Sequence, residues 1–136
     1  MKNTKAFTLI EVMIVVAVVA ILAAIAVPMY QEQIRKSKRA DAMQALLAAS
    51  EAVERYKAAN FSYANLDGNL AEVFAVQVPV DGGAAYFDLA IAADATSYRI
   101  TATPKDSMKN DCSFAITNAG VRSYTKGSKC STVDNW

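Results

Sequence analysis

Glu11 is the residue whose position most needs a chemical reason. It lies in the run Phe7 to Val27, which only Thr8 and Glu11 interrupt. A carboxylate there costs about 2.5–3.5 kcal/mol on membrane-insertion scales unless it is neutralised or paired. Neither a secretory signal nor a plain anchor needs such a group. Cys112 and Cys130 are the second candidate; they enclose 17 residues. In an oxidising compartment a disulfide between them would stabilise the chain by about 3 kcal/mol. The alternative is two free thiols. From Arg99 onward, Arg99, Lys105, Lys109, Arg122, Lys126 and Lys129 face Asp106, Asp111 and Asp134, a local balance of +3. With Tyr124 and Trp136 among them, such residues can contact phosphates and stack on bases. They can equally keep a surface soluble or bond to neighbouring subunits. The chain has no histidine, so imidazole triads, proton shuttles and His metal sites are excluded. No spacing suggests an activated nucleophile, a metal site or a phosphate loop, so neither an enzyme nor a cofactor is expected.

The composition is that of a folded chain. Of 136 residues, 54% are hydrophobic and 20% charged, and 14 Lys/Arg against 13 Asp/Glu leave a net charge of +1. Bulk charge therefore indicates no partner. As a helix, residues 7–27 would span about 31 Å, close to the thickness of a bilayer's hydrocarbon core. Lys2 and Lys5 favour a cytoplasmic N-terminus, whereas Arg35, Lys36, Lys38 and Arg39 pull the other way. Three readings are open: a secretory signal cut after Ala24-Ile25-Ala26, an unprocessed anchor, or a segment that uses Glu11.

The helical pattern continues beyond the apolar run. Pro28 removes one backbone donor, which predicts a bend or loosened turn. From Met29 to about Ala59 helix formers dominate, and Ile34, Met43, Leu46, Leu47, Val53 and Tyr56 form a helical stripe. Residues 7–59 would make a helix about 80 Å long if straight. That is longer than one small domain needs, so lipid or sister helices must cover its front half. The cluster Arg35-Lys36-Ser37-Lys38-Arg39 reads as a solvated or inter-subunit face, with lipid headgroups or nucleic acid as the alternative.

After Asn60 the texture changes. Residues 60–84 read as a connecting loop closed by Asp81-Gly82-Gly83. Ala85–Ala92, Ser97–Thr103, Cys112–Thr117 and Val121–Tyr124 alternate apolar and polar residues with turn residues between them. This predicts an antiparallel sheet with one buried face, covered by Met43 to Tyr56. The expected fold is α+β, a long N-terminal helix packed on a C-terminal antiparallel sheet of about four strands.

The segment Lys5-Ala6-Phe7-Thr8-Leu9-Ile10-Glu11-Val12-Met13-Ile14-Val15-Val16, followed by Ile21-Leu22-Ala23-Ala24-Ile25-Ala26-Val27-Pro28, resembles the N-terminus of type IV prepilins. Type II secretion pseudopilins share this motif, so it marks a superfamily. Tyr98 to Pro104, Cys112 and Cys130 to Trp136 look most like a minor pilin of the type IVa system. The resemblance divides the chain into a leader (1–6), a membrane and assembly helix (7–28), an amphipathic helix (29–59), a loop (60–84) and a sheet with a disulfide-bounded C-terminal loop (85–136).

The resemblance implies that a prepilin peptidase cuts between Ala6 and Phe7 and that the Phe7 amine is N-methylated. Ala6 stands where the family has Gly. The freed Phe7 ammonium would then pair with Glu11, within one subunit or, as the family suggests, between neighbours during assembly. Pro28 closes the assembly segment, and Cys112–Cys130 bounds the C-terminal loop. Implied partners are other pilin subunits, the peptidase, the inner-membrane assembly machinery and the membrane itself. Nucleic acid is a further one, through Lys105, Lys109, Arg122, Lys126 and Lys129. The subunit would reside in a bacterial inner membrane with its head in the periplasm, then in an extracellular pilus supporting adhesion, twitching motility or DNA uptake. The alternatives are a DNA- or surface-binding module displayed on the pilus, and a secretion pseudopilin.

Overall fold

The computed structural model describes residues 7–133 and 136. The chain divides between Lys36 and Ser37 into two compact units. A helix, α1, runs over Leu9–Asn60 and is unbroken at Pro28. Five strands follow: β1 (Gln77–Val78), β2 (Phe87–Ala93), β3 (Tyr98–Pro104), β4 (Ser113–Thr117) and β5 (Arg122–Thr125).

In the first unit, the helix between Leu9 and Val27 carries only exposed side chains; Leu22, for example, is 61% exposed. Its best 18-residue window has a mean hydropathy of 3.0, long and apolar enough to cross a membrane. Thr8 stands just before the first helical residue, and its Oγ1 accepts the Glu11 amide at 3.3 Å. Thr8-Leu9-Ile10-Glu11 thus has the spacing of a capping box, in which a Thr oxygen satisfies one of the helix's orphan amides.

In the second unit, the helix and sheet enclose one core. The strands pair antiparallel in the order β1-β2-β3-β4-β5. The register sets Ile91 against Ile100 and Ile100 against Ile116, while Ala102 faces Leu89 on one side and Phe114 on the other. These residues form the helix-facing rows, and all of them are buried. The outer rows are short and polar: Asp88 pairs with Thr103, and Thr101 with Ala115. Ala115 breaks the alternation because it too is buried. Arg99 on β3 reaches Ser123 on β5 (3.3 Å), so its side chain crosses β4 on this outer face.

The observed sheet differs from the expected one by one strand. β1 lies inside the segment 60–84 read as a loop, pairing Gln77 with Asp88 and Val78 with Phe87. Two residues ending at Pro79 are too short to display a period of two. That segment also contains 3-10 turns at Ala64–Leu66 and Leu70–Glu72 and buries Tyr63, Leu66, Leu70 and Val78. It walls the core rather than merely bridging two elements.

The helical stripe also needs correction. Ala42, Ala45, Leu46, Ala49, Ala52 and Val53 are the buried apolar residues of α1, whereas Met43, Leu47 and Tyr56 are half-buried and Ile34 is exposed. Methyl side chains let the helix approach the sheet, whose Phe87, Phe114 and Ile100 provide the bulk of the filling. Leu46 and Val53 of the expected stripe thus lie on the innermost line, and alanines rather than Met43, Leu47 or Tyr56 complete it.

Candidate functional site

The candidate residues fall into two groups, one at the start of α1 and one at the end of the head where α1 enters it. At the first, Phe7 is 80% exposed and Glu11 points from an exposed face, with its amide tied to Thr8. Ala6 lies outside the described residues. Pro28 sits within α1.

The second group is organised by an ion pair absent from the expected set. In the sequence Arg39 belongs to a basic run that reads as a solvated or inter-subunit face. Its side chain is in fact only 4% exposed, and that of Asp111 is 0% exposed. The Arg39 guanidinium donates to both carboxylate oxygens, Nε to Oδ1 at 2.7 Å and NH2 to Oδ2 at 3.0 Å. NH1 donates to Ser131 Oγ at 2.6 Å, and NH2 lies 3.5 Å from the Lys129 carbonyl. Asp111 Oδ1 also accepts the Cys112 amide at 2.7 Å. Bidentate geometry and the added bonds are what a pair removed from water requires. One helical side chain thus ties α1 to both strands of the disulfide loop. A five-residue basic run gives no sign of which member turns inward, so no sequence signal marked Arg39.

Cys112 and Cys130 are joined, with Cα atoms 4.9 Å apart. Asp111, Cys112 and Cys130 bring potential ligand atoms within 4.8 Å of one another. The sulfurs are bonded to each other and the carboxylate to Arg39, so this cluster offers no thiolate to a metal.

Gly127 permits a second closure. A Cβ there would lie 2.5 Å from the Asp111 carbonyl oxygen and nearer still to that of Asn110. The Lys129 amide donates to Asn110 O at 2.8 Å, bringing the segment after β5 against the turn after β3. Lys109, Lys126 and Lys129 therefore stand exposed on adjoining segments, with no acidic side-chain partner among the described residues. Lys105 is different: its ammonium lies 3.1 Å from Asp88. Arg122 is also set apart, its guanidinium 5.6 Å from the Trp136 ring centroid. Trp136 in turn donates to Ser123 O at 2.7 Å and meets Phe114 edge-on at 5.8 Å. Three of the five expected basic residues come together, and two are otherwise engaged.

Titration within the head follows local contacts. Burial, then a hydrogen bond from its hydroxyl to Asp41 (2.7 Å), pushes the Tyr86 phenol up to about 12. Burial also raises Tyr98. The Ser97 hydroxyl, then the Thr96 and Ser97 amides, hold Asp94 down at about 2.

Residues 28–117 match the family model described as type IV minor pilin ComP, DNA uptake sequence receptor. The chain belongs to this type IV minor pilin family. Residues 1–27 of the pilin match the prokaryotic N-terminal methylation motif. Among curated relatives, it is 50% identical over 54 residues to fimbrial protein Q of Moraxella bovis, 40% of this chain and 34% of that one. It is 48% identical over 54 residues to a fimbrial protein of Pseudomonas aeruginosa, 40% of this chain and 35% of the relative. The match spans about a third of the length of these relatives. The fold is similar to that of the Neisseria meningitidis non-core minor pilin PilV, with a TM-score of 0.56 at 14% identity over 71% of this chain and 92% of that one. The pilin is a structural protein and not an enzyme.

Proposed function

We propose that this minor pilin is cut between Ala6 and Phe7, methylated at Phe7, and built into a type IV pilus whose exposed heads receive DNA during uptake. Matching of residues 28–117 to a family described as a DNA uptake sequence receptor carries the reading. Before assembly, the Leu9 to Val27 stretch holds the subunit in the inner membrane with its head in the periplasm. A Phe7 ammonium pairs with Glu11 of a neighbour and sets the depth at which subunits stack. Pro28 ends the segment that does this. On the head, Lys109, Lys126 and Lys129 meet phosphates, and Arg122 beside Trp136 flanks them. Lys105 contributes less because Asp88 already offsets its charge.

Titrating a labelled duplex with the full chain in neutral detergent tests this. Each lysine contacting a phosphate contributes about 0.9 to the slope of log affinity against log salt. Substituting Lys109, Lys126 and Lys129 together by Gln should weaken binding at least tenfold and flatten the slope by about 2.7. Unchanged affinity would overturn the assignment, and binding independent of salt would overturn the DNA reading itself.

A further inference from the structure

We propose that the lysine-bearing end of the head rests on anionic phospholipid headgroups while the subunit waits in the membrane. The proposal rests on the anchored-pilin reading but not on binding of DNA. Three observations carry it.

First, the lysines gather at the end of the head where α1 enters. Lys38, in the first turn of this unit, donates to Ser107 at 2.9 Å, and Arg39 one residue on holds Asp111 and Ser131. The segments bearing Lys109, Lys126 and Lys129 are therefore pinned beside the first turn of the head's helix. The far end of the head is different: there Tyr63 bonds Glu54 and stacks edge-on with Tyr98 at 4.9 Å.

Second, all but one of the described carboxylates at this end are engaged, Asp41 among them, which accepts the Tyr86 hydroxyl at 2.7 Å. Asp111 is buried against Arg39 and Asp88 lies on Lys105. Asp106 is the exposed acid left on segments 105–111 and 125–131. Lys38, Lys109, Lys126 and Lys129 thus outnumber it.

Third, the tether is short. Nine residues separate Val27 from Ser37, which span at most about 32 Å even fully extended. The head cannot leave the neighbourhood of the bilayer surface, so a modest attraction suffices to hold this end against it. Each lysine near an anionic surface contributes about a fivefold preference. The lysines thus act together, and screening by salt should release them.

Hydrogen exchange of the full chain in nanodiscs tests the proposal, comparing phosphatidylcholine with a 70:30 mixture of phosphatidylcholine and phosphatidylglycerol. At 50 mM salt, amides in 106–110 and 126–130 should exchange at least threefold more slowly in the anionic discs. That difference should vanish at 500 mM salt and in the variant K109Q/K126Q/K129Q, and persist in K109R/K126R/K129R. Amides of β2 to β4 should exchange alike in both lipids and all variants, which reports an intact head. Equal exchange of 106–110 and 126–130 in both lipids would overturn the proposal. So would protection of these segments by a duplex in phosphatidylcholine discs with none from phosphatidylglycerol, which would leave nucleic acid as the occupant. Failure of the chain to incorporate into either disc would instead overturn the anchored reading, and the proposal with it.

Discussion

Leu22 and Leu46 lie on the same helix, yet the first is 61% exposed and the second fully buried. Around Leu22 every side chain is apolar, and none is buried by another of the described residues. Around Leu46 the apolar line is narrow, built largely of alanine, and opposed by a sheet. Hydrophobic residues thus have two uses here. In the head they exclude water from a core that one chain completes. In the first unit they require cover that the described residues do not supply, which under the proposed function is lipid before assembly and sister helices afterwards. A continuous apolar run signals the second situation and a narrow stripe the first.

The largest expected difference between the regions concerns Glu11. Glu11→Ala should leave membrane insertion and head folding intact but lower the amount of subunit in sheared pili at least tenfold, read by immunoblot of pilus and membrane fractions. Normal incorporation would remove the role given to Glu11. The reverse pattern is expected for Arg39. Arg39→Met leaves Asp111 buried without its cation and should cost the head about 3–5 kcal/mol in denaturant unfolding. The double change Arg39→Met with Asp111→Leu should recover most of that loss. If it does not, the hydrogen bonds to Ser131 and Lys129, rather than the charge pair, hold the loop.

One substitution made in both regions sharpens the contrast. Ala49 is fully buried in the head, and Ala17 is exposed in the first unit. Ala49→Leu should destabilise the head by about 1–3 kcal/mol through overpacking. Ala17→Leu should leave head unfolding unchanged, as followed by near-ultraviolet circular dichroism in detergent. The smallest effect belongs to Tyr86. Its folded-state value lies near 12, above the usual value of about 10 in an unfolded chain. The phenol's contribution is therefore fully present below about pH 10 and is lost as pH rises towards 12. Tyr86→Phe should cost about 0.5–1 kcal/mol at neutral pH, in the range of one hydrogen bond. It should also flatten the alkaline loss of stability between those pH values.

The patterns with a strong period were legible without coordinates. Twenty-one residues of near-continuous apolarity predict a helix that must leave water, and the match of residues 1–27 to the N-terminal methylation motif favours the pilin reading over a secretory signal. Alternation placed β2, β3, β4 and β5 to within two residues at each end, because one face of each strand must be buried. The cysteine pair could be anticipated from export and from the family resemblance. Even the Thr8 cap could have been found, since Thr-x-x-Glu is a capping pattern, although Glu11 drew notice for its charge alone.

What remained hidden depends on contacts between residues far apart in the chain. Nothing local distinguishes Arg39 from Lys36 or Lys38, because its burial is decided by Asp111, 72 positions away. β1 exists only because β2 offers it an edge. Lys109, Lys126 and Lys129 form one group only because Gly127 lets the C-terminal segment close on Asn110 and Asp111. Local composition determines which segments must leave water, since that depends on each residue and its near neighbours. Tertiary structure decides which charges remain free to meet a partner, since charges are neutralised in space and not along the chain.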